Sequence, residues 1–354
     1  MDFGLDETQE ALRDLTAGLL AKEASQERLE AHERGGAPYD QGLWQALREA
    51  GLTAICVPEH AGGAGLGPVE MAVVLREAGM RAAPGPLAAT LVSTLAASRY
   101  GAPEHHERLN GAAVSTVAIR EPGRSLADPP ATTAGRASDV WRLTGRKCGV
   151  AYPGGELLVT ADEGLFLVRA PGIAEHAAPG VTTTAEFAST GEVMASVAFE
   201  DAPAERVAGP EAVTAVRHLY TAAVTAQASG VLAGALRLTT EHLKTRRQFG
   251  RALAEFQAVT TQVADVYIAA RALDVAMWSG TWRLAAGLPA EEDLALAGYH
   301  ASEAARALYT CQHLHGGLGL DVTYPLHRYF AHAKHLAHLL GGADAQLDLI
   351  GALA

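Results

Sequence analysis

Two stretches of this chain carry residue types suited to gripping a ligand, and a third set invites comparison with a metal site. Lys244–Gln257, KTRRQFGRALAEFQ, is rich in basic side chains. A guanidinium presents a planar fork of donors that matches phosphate oxygens, and partial burial strengthens the pairing. His315–Lys334, HGGLGLDVTYPLHRYFAHAK, opens on Gly316, Gly317 and Gly319, where backbone without a Cβ can come close to a ligand. Of 14 histidines, His332, His335 and His338 are spaced by three, near one helix face, and His313 and His315 are close in sequence. A metal would suit such a set, but no Cys pair or HExxH motif accompanies it. These histidines read as partly exposed polar positions, and no metal is expected. Glu59, Glu121 and Glu200 read as structural or surface carboxylates.

The elements that must position these residues change character along the chain. Asp6 with Gln9 has the spacing of a capping box, and Leu12, Leu15 and Leu19 follow at helical spacing. A second helix is predicted from Leu43 to Ala50, stopped by Gly51. AICVPEHAGGAGLG then forms an apolar stretch and a Gly-rich loop before a helix through Met71, Val74 and Leu75. Leu87 to Ser98 is a further apolar helix. From Val114 to about Pro203 the alternation shortens: VSTVAI, WRLTG, ELLVTA, GLFLVRA and EVMASVAF have strand composition, split by Gly, Pro and Asp. This segment of roughly 90 residues reads as a β-barrel or sandwich. Helical periodicity returns from Pro210, where Val259, Val263, Val266, Ala270, Leu273 and Met277 form one stripe suited to core packing. The domains expected are 1–112, helical; 113–203, a β-barrel; and 204–354, a helical bundle.

Bulk composition narrows the function classes. Lys and Arg number 28 against 40 Asp and Glu, a formal charge of −12 over 354 residues. That argues against a nucleic-acid surface, which needs clustered basic residues, and leaves room for a local phosphate pocket. The chain is 49% hydrophobic and 19% charged, as expected of a globular protein with a sizeable core. Cys56, Cys148 and Cys311 lie far apart and form no CxxC pair. A cytoplasmic location is expected, each cysteine serving as a small apolar residue. The opening MDFGLDETQEALRDL is acidic and amphipathic, unlike a signal peptide. No apolar run is expected to reach the ~20 residues of a membrane span, and no membrane partner is expected.

The basic segment resembles the flavin-binding signature of the acyl-CoA dehydrogenase family, R-x-x-F-G with a Gln eight residues after the Phe. The matching residues are Arg246, Phe249, Gly250 and Gln257. The resemblance implies that Arg246 reaches across a subunit interface to the FAD pyrophosphate of a neighbour, with Phe249 packing on the adenosine part and Gln257 supplying amide hydrogen bonds. The Gly-rich segment resembles the family's Q-x-x-G-G-x-G…Y-P…R run, which implies that His313, Gly316 and Gly317 meet the ADP part of the neighbour's FAD. MDFGLDETQ, VPEHAGGAGLG, AIREPGRS and VAFEDAPAERV resemble further family segments. The implied fold is mainly α with a β middle domain: an N-terminal helical domain, a β-barrel domain and a C-terminal four-helix bundle.

The same resemblance exposes departures. The family desaturates an acyl-CoA thioester, and removing the weakly acidic α-proton needs a positioned carboxylate. The two positions where family members place that Glu correspond to Leu340 and Tyr220. Neither is a base near neutral pH, because a phenol titrates near ~10. The family's K-x-W-I-T-like strand, which meets the isoalloxazine, is matched by Lys147-Cys148-Gly149-Val150-Ala151, and Arg120 replaces the Thr before Glu121–Pro122. No catalytic residue is therefore assigned. The resemblance implies the base-lacking subunit of a heteromeric α2β2 acyl-CoA dehydrogenase, like those acting on CoA esters of steroid side chains. It would complete the FAD site of a homologous catalytic subunit, with an electron-transfer flavoprotein as a further candidate partner. Two alternatives stand beside it. One is an active homo-oligomeric dehydrogenase whose base is displaced to Asp344, one helical turn (~6 Å) beyond Leu340. The other is a non-enzymatic assembly protein that reuses the fold.

Overall fold

The computed structural model describes residues 4–112, 114–173 and 178–353. The first three residues of the MDFGLDETQ match and position 113, where the β-domain was expected to open, lie outside them. The chain forms two compact units. One comprises Met1–Glu30, Ala72–Ala83 and Thr221–Ala354, the other Ala31–Met71 and Pro84–Tyr220.

The first unit is helical. Helix α1 (Glu7–Glu23) starts at a reciprocal capping box: the Gln9 amide donates to Asp6 at 2.9 Å, and the Asp6 amide donates to Gln9 at 3.1 Å. Each bond satisfies an N–H that the first helical turn leaves unpaired. Its buried face is Leu12, Thr16 and Leu20, whereas Leu15 is 48% exposed. The expected Leu12–Leu15–Leu19 stripe is thus displaced, because Thr16 enters the core once its hydroxyl donates to the Leu12 carbonyl at 2.7 Å. Helix α2 (Gln26–Gly35), unmarked by any apolar stripe, follows.

Further along, α4 (Pro68–Met80) meets α7 (Glu211–Thr245) through glycine. A Cβ at Gly230 would stand 1.9 Å from the Arg76 carbonyl, so the backbones touch where no side chain fits. An 18-residue window of α7 is long and apolar enough by composition to cross a membrane, which corrects the expectation that no such run exists. Of that window, 72% is buried inside the protein, the pattern of a core helix. Helices α8 (Gln257–Ala285), α9 (Glu291–His315), α10 (Leu326–Leu339) and α11 (Gly342–Leu353) complete the unit. Val266, Ala270, Leu273 and Met277 of the predicted α8 stripe are buried.

The second unit holds α3 (Gln41–Glu49), stopped by Gly51 at φ +74, α5 (Leu87–Tyr100), α6 (Pro103–Gly111) and a seven-stranded sheet. The strands are β1 (Ser115–Ala118), β2 (Thr133–Ala137), β3 (Val140–Ala151), β4 (Gly155–Ala161), β5 (Gly164–Ala170), β6 (Val181–Glu186) and β7 (Met194–Ala208). The spatial order is β1-β4-β5-β7-β3-β2, with β6 paired to β7; β1 runs parallel to β4 and the other pairs are antiparallel. Strand β7 organises the whole. It pairs with β3 from Met194 to Ala204 and with β6 from Met194 to Phe199, and its end, Glu205–Ala208, pairs with β5. It runs beyond Pro203, where the alternation was expected to stop. Alternate residues of these strands, including Leu143, Leu157, Phe166, Val197 and Phe199, close into one buried core. The weakly patterned β2 and β6 escaped the sequence reading because most of their residues face solvent.

Candidate functional site

The basic segment folds into a hairpin projecting from the end of α7. Strand β8 (Arg247–Gln248) pairs with β9 (Arg251–Ala252) around Phe249 and Gly250. Both turn residues have positive φ, +52 and +82, the signature of a mirror-image hairpin turn. Glycine accepts that conformation freely. Phenylalanine does not, and such strain on a bulky residue marks a position held for more than packing. Phe249 is 91% exposed. Arg246 sits at the hairpin base: its N–H donates to the His242 carbonyl at 2.8 Å, and its carbonyl accepts from Leu253 at 2.9 Å. Its side chain is exposed, as are those of Arg247 and Arg251. The Arg251 guanidinium lies 4.0 Å from the Phe256 ring centre.

Helix α8 begins after a short 3-10 turn, Leu253–Glu255, that follows this hairpin, with exposed Gln257 as its first residue and no side-chain cap. Its first-turn N–H groups and positive dipole end therefore add to the cationic arginines. The arrangement suits a diphosphate.

The Gly-rich turn leaves the end of α9. Gly316 takes φ +61 with ψ −138, backbone that only glycine adopts readily, and a Cβ at Gly316 or Gly317 would meet nothing within 4 Å. Backbone is thus bared to open space. Gly319 differs: a Cβ there would strike the Gln312 carbonyl at 2.4 Å, so that glycine serves packing. Gln312 donates to the Gly319 carbonyl at 3.0 Å and pins the turn, while His313 is exposed on the last turn of α9. The structure therefore brings Arg246, Phe249, Gln257, His313, Gly316 and Gly317 to element ends of one unit. It also ties the ends of α7 and α9 together by a contact that no motif announced: the His242 and His315 rings stack 4.4 Å apart at 21°.

The second unit tells a different story at the Lys147–Ala151 strand. Lys147 is wholly buried, and its ammonium donates to Glu121 at 2.7 Å and Thr160 at 3.0 Å. Burial drives the lysine down to about 8 although Glu121 resists. For Glu121, burial opposes ionisation, but Lys147 and Thr132 overcome it and hold the carboxyl at about 2. At Gly149, with φ +59, a Cβ would stand 2.7 Å from Arg120 Nη1. The guanidinium that replaces the family's Thr therefore fills the space over the strand. The Gly149 N–H is already taken by Glu186 at 3.0 Å.

Neither base position is acidic. Leu340 is 1% exposed. Tyr220 is half-buried, and burial pushes its phenol up to about 12 although Arg120 pulls it down. Asp344 does not inherit Leu340's helix face, as the displaced-base alternative required. Leu340 caps α10, Gly341 and Gly342 both turn left-handed at φ +86 and +84, and Asp344 is exposed on the first turn of α11.

Comparisons with known proteins place the chain in a family. Family models for the acyl-CoA dehydrogenase N-terminal and C-terminal domains match residues 6–115 and 217–353. The chain is 38% identical to acyl-CoA dehydrogenase FadE28 of Mycobacterium tuberculosis, over 99% of this chain and 98% of that protein. Among solved structures, the Tcur3481-Tcur3483 steroid ACAD variant superposes with a TM-score of 0.90 at 37% identity, covering 98% of this chain and 97% of the other. The ChsE4-ChsE5 complex from Mycobacterium tuberculosis gives 0.89 at 32% identity, covering 99% and 98%. With helical ends around a central sheet, this chain belongs to the acyl-CoA dehydrogenase family of flavoprotein oxidoreductases.

Proposed function

We propose that this chain is the base-lacking subunit of a heteromeric acyl-CoA dehydrogenase, completing the FAD site of a homologous catalytic subunit. The observation that carries the reading is the Arg120 guanidinium packed against Gly149, on the strand that matches the family's flavin-facing one. The two halves of a flavin site thus diverge. The grip that would serve a neighbour's FAD is exposed and open, whereas this chain's own seat is filled by a cation and lacks a side chain to stack on a ring.

FAD, when bound to the complex, accepts the hydride from the β-carbon of the acyl-CoA. This chain's residues hold it. Arg246 and the start of α8 would hold the diphosphate, Phe249 would pack on the adenosine, and the bare Gly316–Gly317 backbone would let the ligand approach. The proton at the α-carbon is taken by the catalytic subunit, because Leu340 offers hydrocarbon and Tyr220 a phenol held protonated. Two similar solved structures bear the names of protein pairs, Tcur3481-Tcur3483 and ChsE4-ChsE5, which supports a heteromeric assembly. The first is described as a steroid ACAD, which makes a steroid-derived acyl-CoA the first substrate to test.

Purification of the chain alone and with a homologous subunit that carries the base tests the reading. The expected result is flavin absorbance only in the complex, at one FAD per pair of unlike chains. One FAD per protomer in the isolated chain, with acyl-CoA oxidation, overturns it.

A further inference from the structure

The stack between His242 and His315 joins the two elements that would grip the cofactor. His242 lies in the last turn of α7, and its carbonyl accepts the Arg246 N–H at 2.8 Å. His315 is the last residue of α9, immediately before Gly316 and Gly317. Its Nδ1 lies 2.7 Å from the Cys311 carbonyl, which can only accept, so Nδ1 carries the hydrogen. In the neutral ring Nε2 is then an acceptor, and the Tyr324 hydroxyl stands 3.2 Å away to donate to it. Both of His315's hydrogen-bonding positions are thereby used, and its tautomer and ring plane are set. The Tyr324 ring packs on His315 at 5.2 Å, so three rings run in series from the arginine hairpin through the Gly-rich turn to the start of α10.

We propose that His242 and His315 are positioning residues whose neutral stack sets the distance between Arg246 and the Gly316–Gly317 turn, so that both meet one diphosphate-bearing cofactor. This rests on the reading that those elements grip FAD. A proton on either ring would put charge against the face of the other at 4.4 Å. The groups that act on the pair are Arg246 beside His242 and the Cys311 carbonyl and Tyr324 beside His315, with Glu241 reaching Tyr324. Among the described residues no carboxylate favours the charged form of either imidazole. Burial, the main cause, followed by the adjacent His315 ring and the Arg246 guanidinium, holds His242 below the ordinary histidine range, and burial does the same for His315. The clasp is therefore closed at neutral pH and opens on acidification.

The test is FAD retention by the complex of this chain with its flavin-binding partner, measured against pH. The wild-type complex is expected to release FAD as the pH falls below about 6.5, the unperturbed imidazole value. The His242→Phe/His315→Phe double variant keeps a ring stack that cannot be protonated, so the FAD it holds at neutral pH is expected to show no pH step on acidification. His242→Ala raises the FAD dissociation constant roughly three- to tenfold at neutral pH, the worth of one aromatic pair. A double-Phe complex with the wild-type pH step, or a folded His242→Ala complex with unchanged affinity, overturns the clasp. Arg246→Ala separates the two levels. Where it releases FAD and His242→Ala does not, the clasp alone fails. Where it leaves FAD in place, the cofactor reading fails and takes the clasp with it.

Discussion

A wholly buried ammonium survives at Lys147 because a carboxylate, a hydroxyl and a carbonyl share its three donor positions: Glu121, Thr160 and Ile119. Glu121 is held in turn by the Ala131 and Thr132 amides and the Thr132 hydroxyl. Removing one partner leaves the other charge buried and alone, which costs far more than the net worth of the pair. Glu121→Ala is expected to destabilise the β-unit by about 3–5 kcal/mol, read from denaturant unfolding. The Glu121→Leu/Lys147→Met double variant, which removes both charges, should lie much nearer wild type. The pH dependence has a definite sign. Glu121 is held at about 2, below its unfolded value, so its stabilisation is complete above the ordinary Glu range near about 4.3 and is lost as the pH falls toward about 2. Acid unfolding of Glu121→Gln should lack that component. The types of these residues were plain in the sequence, where Glu121 read as a structural or surface carboxylate. Their meeting was not, because 26 positions separate them and only the sheet brings them together.

At the scale of elements, the hairpin after α7 stores strain that a stability-driven design would remove. Phe249 sits left-handed at φ +52, nearly all of it in solvent, so it contributes little burial to offset that conformation. Asn-Gly is the pair such a turn prefers. Phe249→Asn should therefore raise the stability of the isolated chain by up to about 1 kcal/mol, seen in its melting temperature, while weakening FAD retention in the complex. Wild-type-like retention would separate the exposed ring from the cofactor. The α4–α7 crossing predicts the opposite kind of effect. Gly230→Val would drive a side chain into the Arg76 carbonyl with no flexible neighbour to yield, and the helical unit should fail to fold, with loss of helical circular dichroism. Helices with an apolar stripe and a stop residue were legible beforehand, α3 and the buried face of α8 among them. The hairpin and the Gly-rich turn were legible only as family motifs. Helix α2 lacks a stripe to read, and Leu15 misled because a threonine that bonds its own helix packs as well as a leucine. The break at Gly341–Gly342 escaped because two glycines after a helix signal an end without revealing that a second helix starts at once.

At the scale of the whole molecule, α8 has two apolar faces, and among the described residues one is buried and the other largely exposed. Leu273 and Met277 are fully buried, whereas Ile268, Val275 and Trp282, spaced by seven, are 63%, 46% and 39% exposed. Seven residues make close to two helical turns, so these three form a stripe along the helix, about 200° round from the buried face at 100° per residue. The sequence reading saw the buried stripe and not this one, since a helix apolar on two sides looks merely hydrophobic. The exposed stripe continues the helix that begins at Gln257, beside the hairpin proposed to reach into a neighbour's FAD. A subunit that presents that hairpin to another chain must also hold the two chains together, and an apolar seam supplies the non-directional attraction that a few polar contacts cannot. The net charge of −12 makes self-association of like chains less favourable than pairing with a less acidic homologue. Ile268→Glu/Val275→Glu changes only solvent-facing side chains, so the chain should fold with unaltered helical content. On the proposed assembly it should no longer co-elute with its partner in size-exclusion chromatography, and the partner should lose FAD although Arg246 and Phe249 are untouched. Intact co-elution with full flavin content would place the subunit contact elsewhere and leave this stripe without a role in assembly.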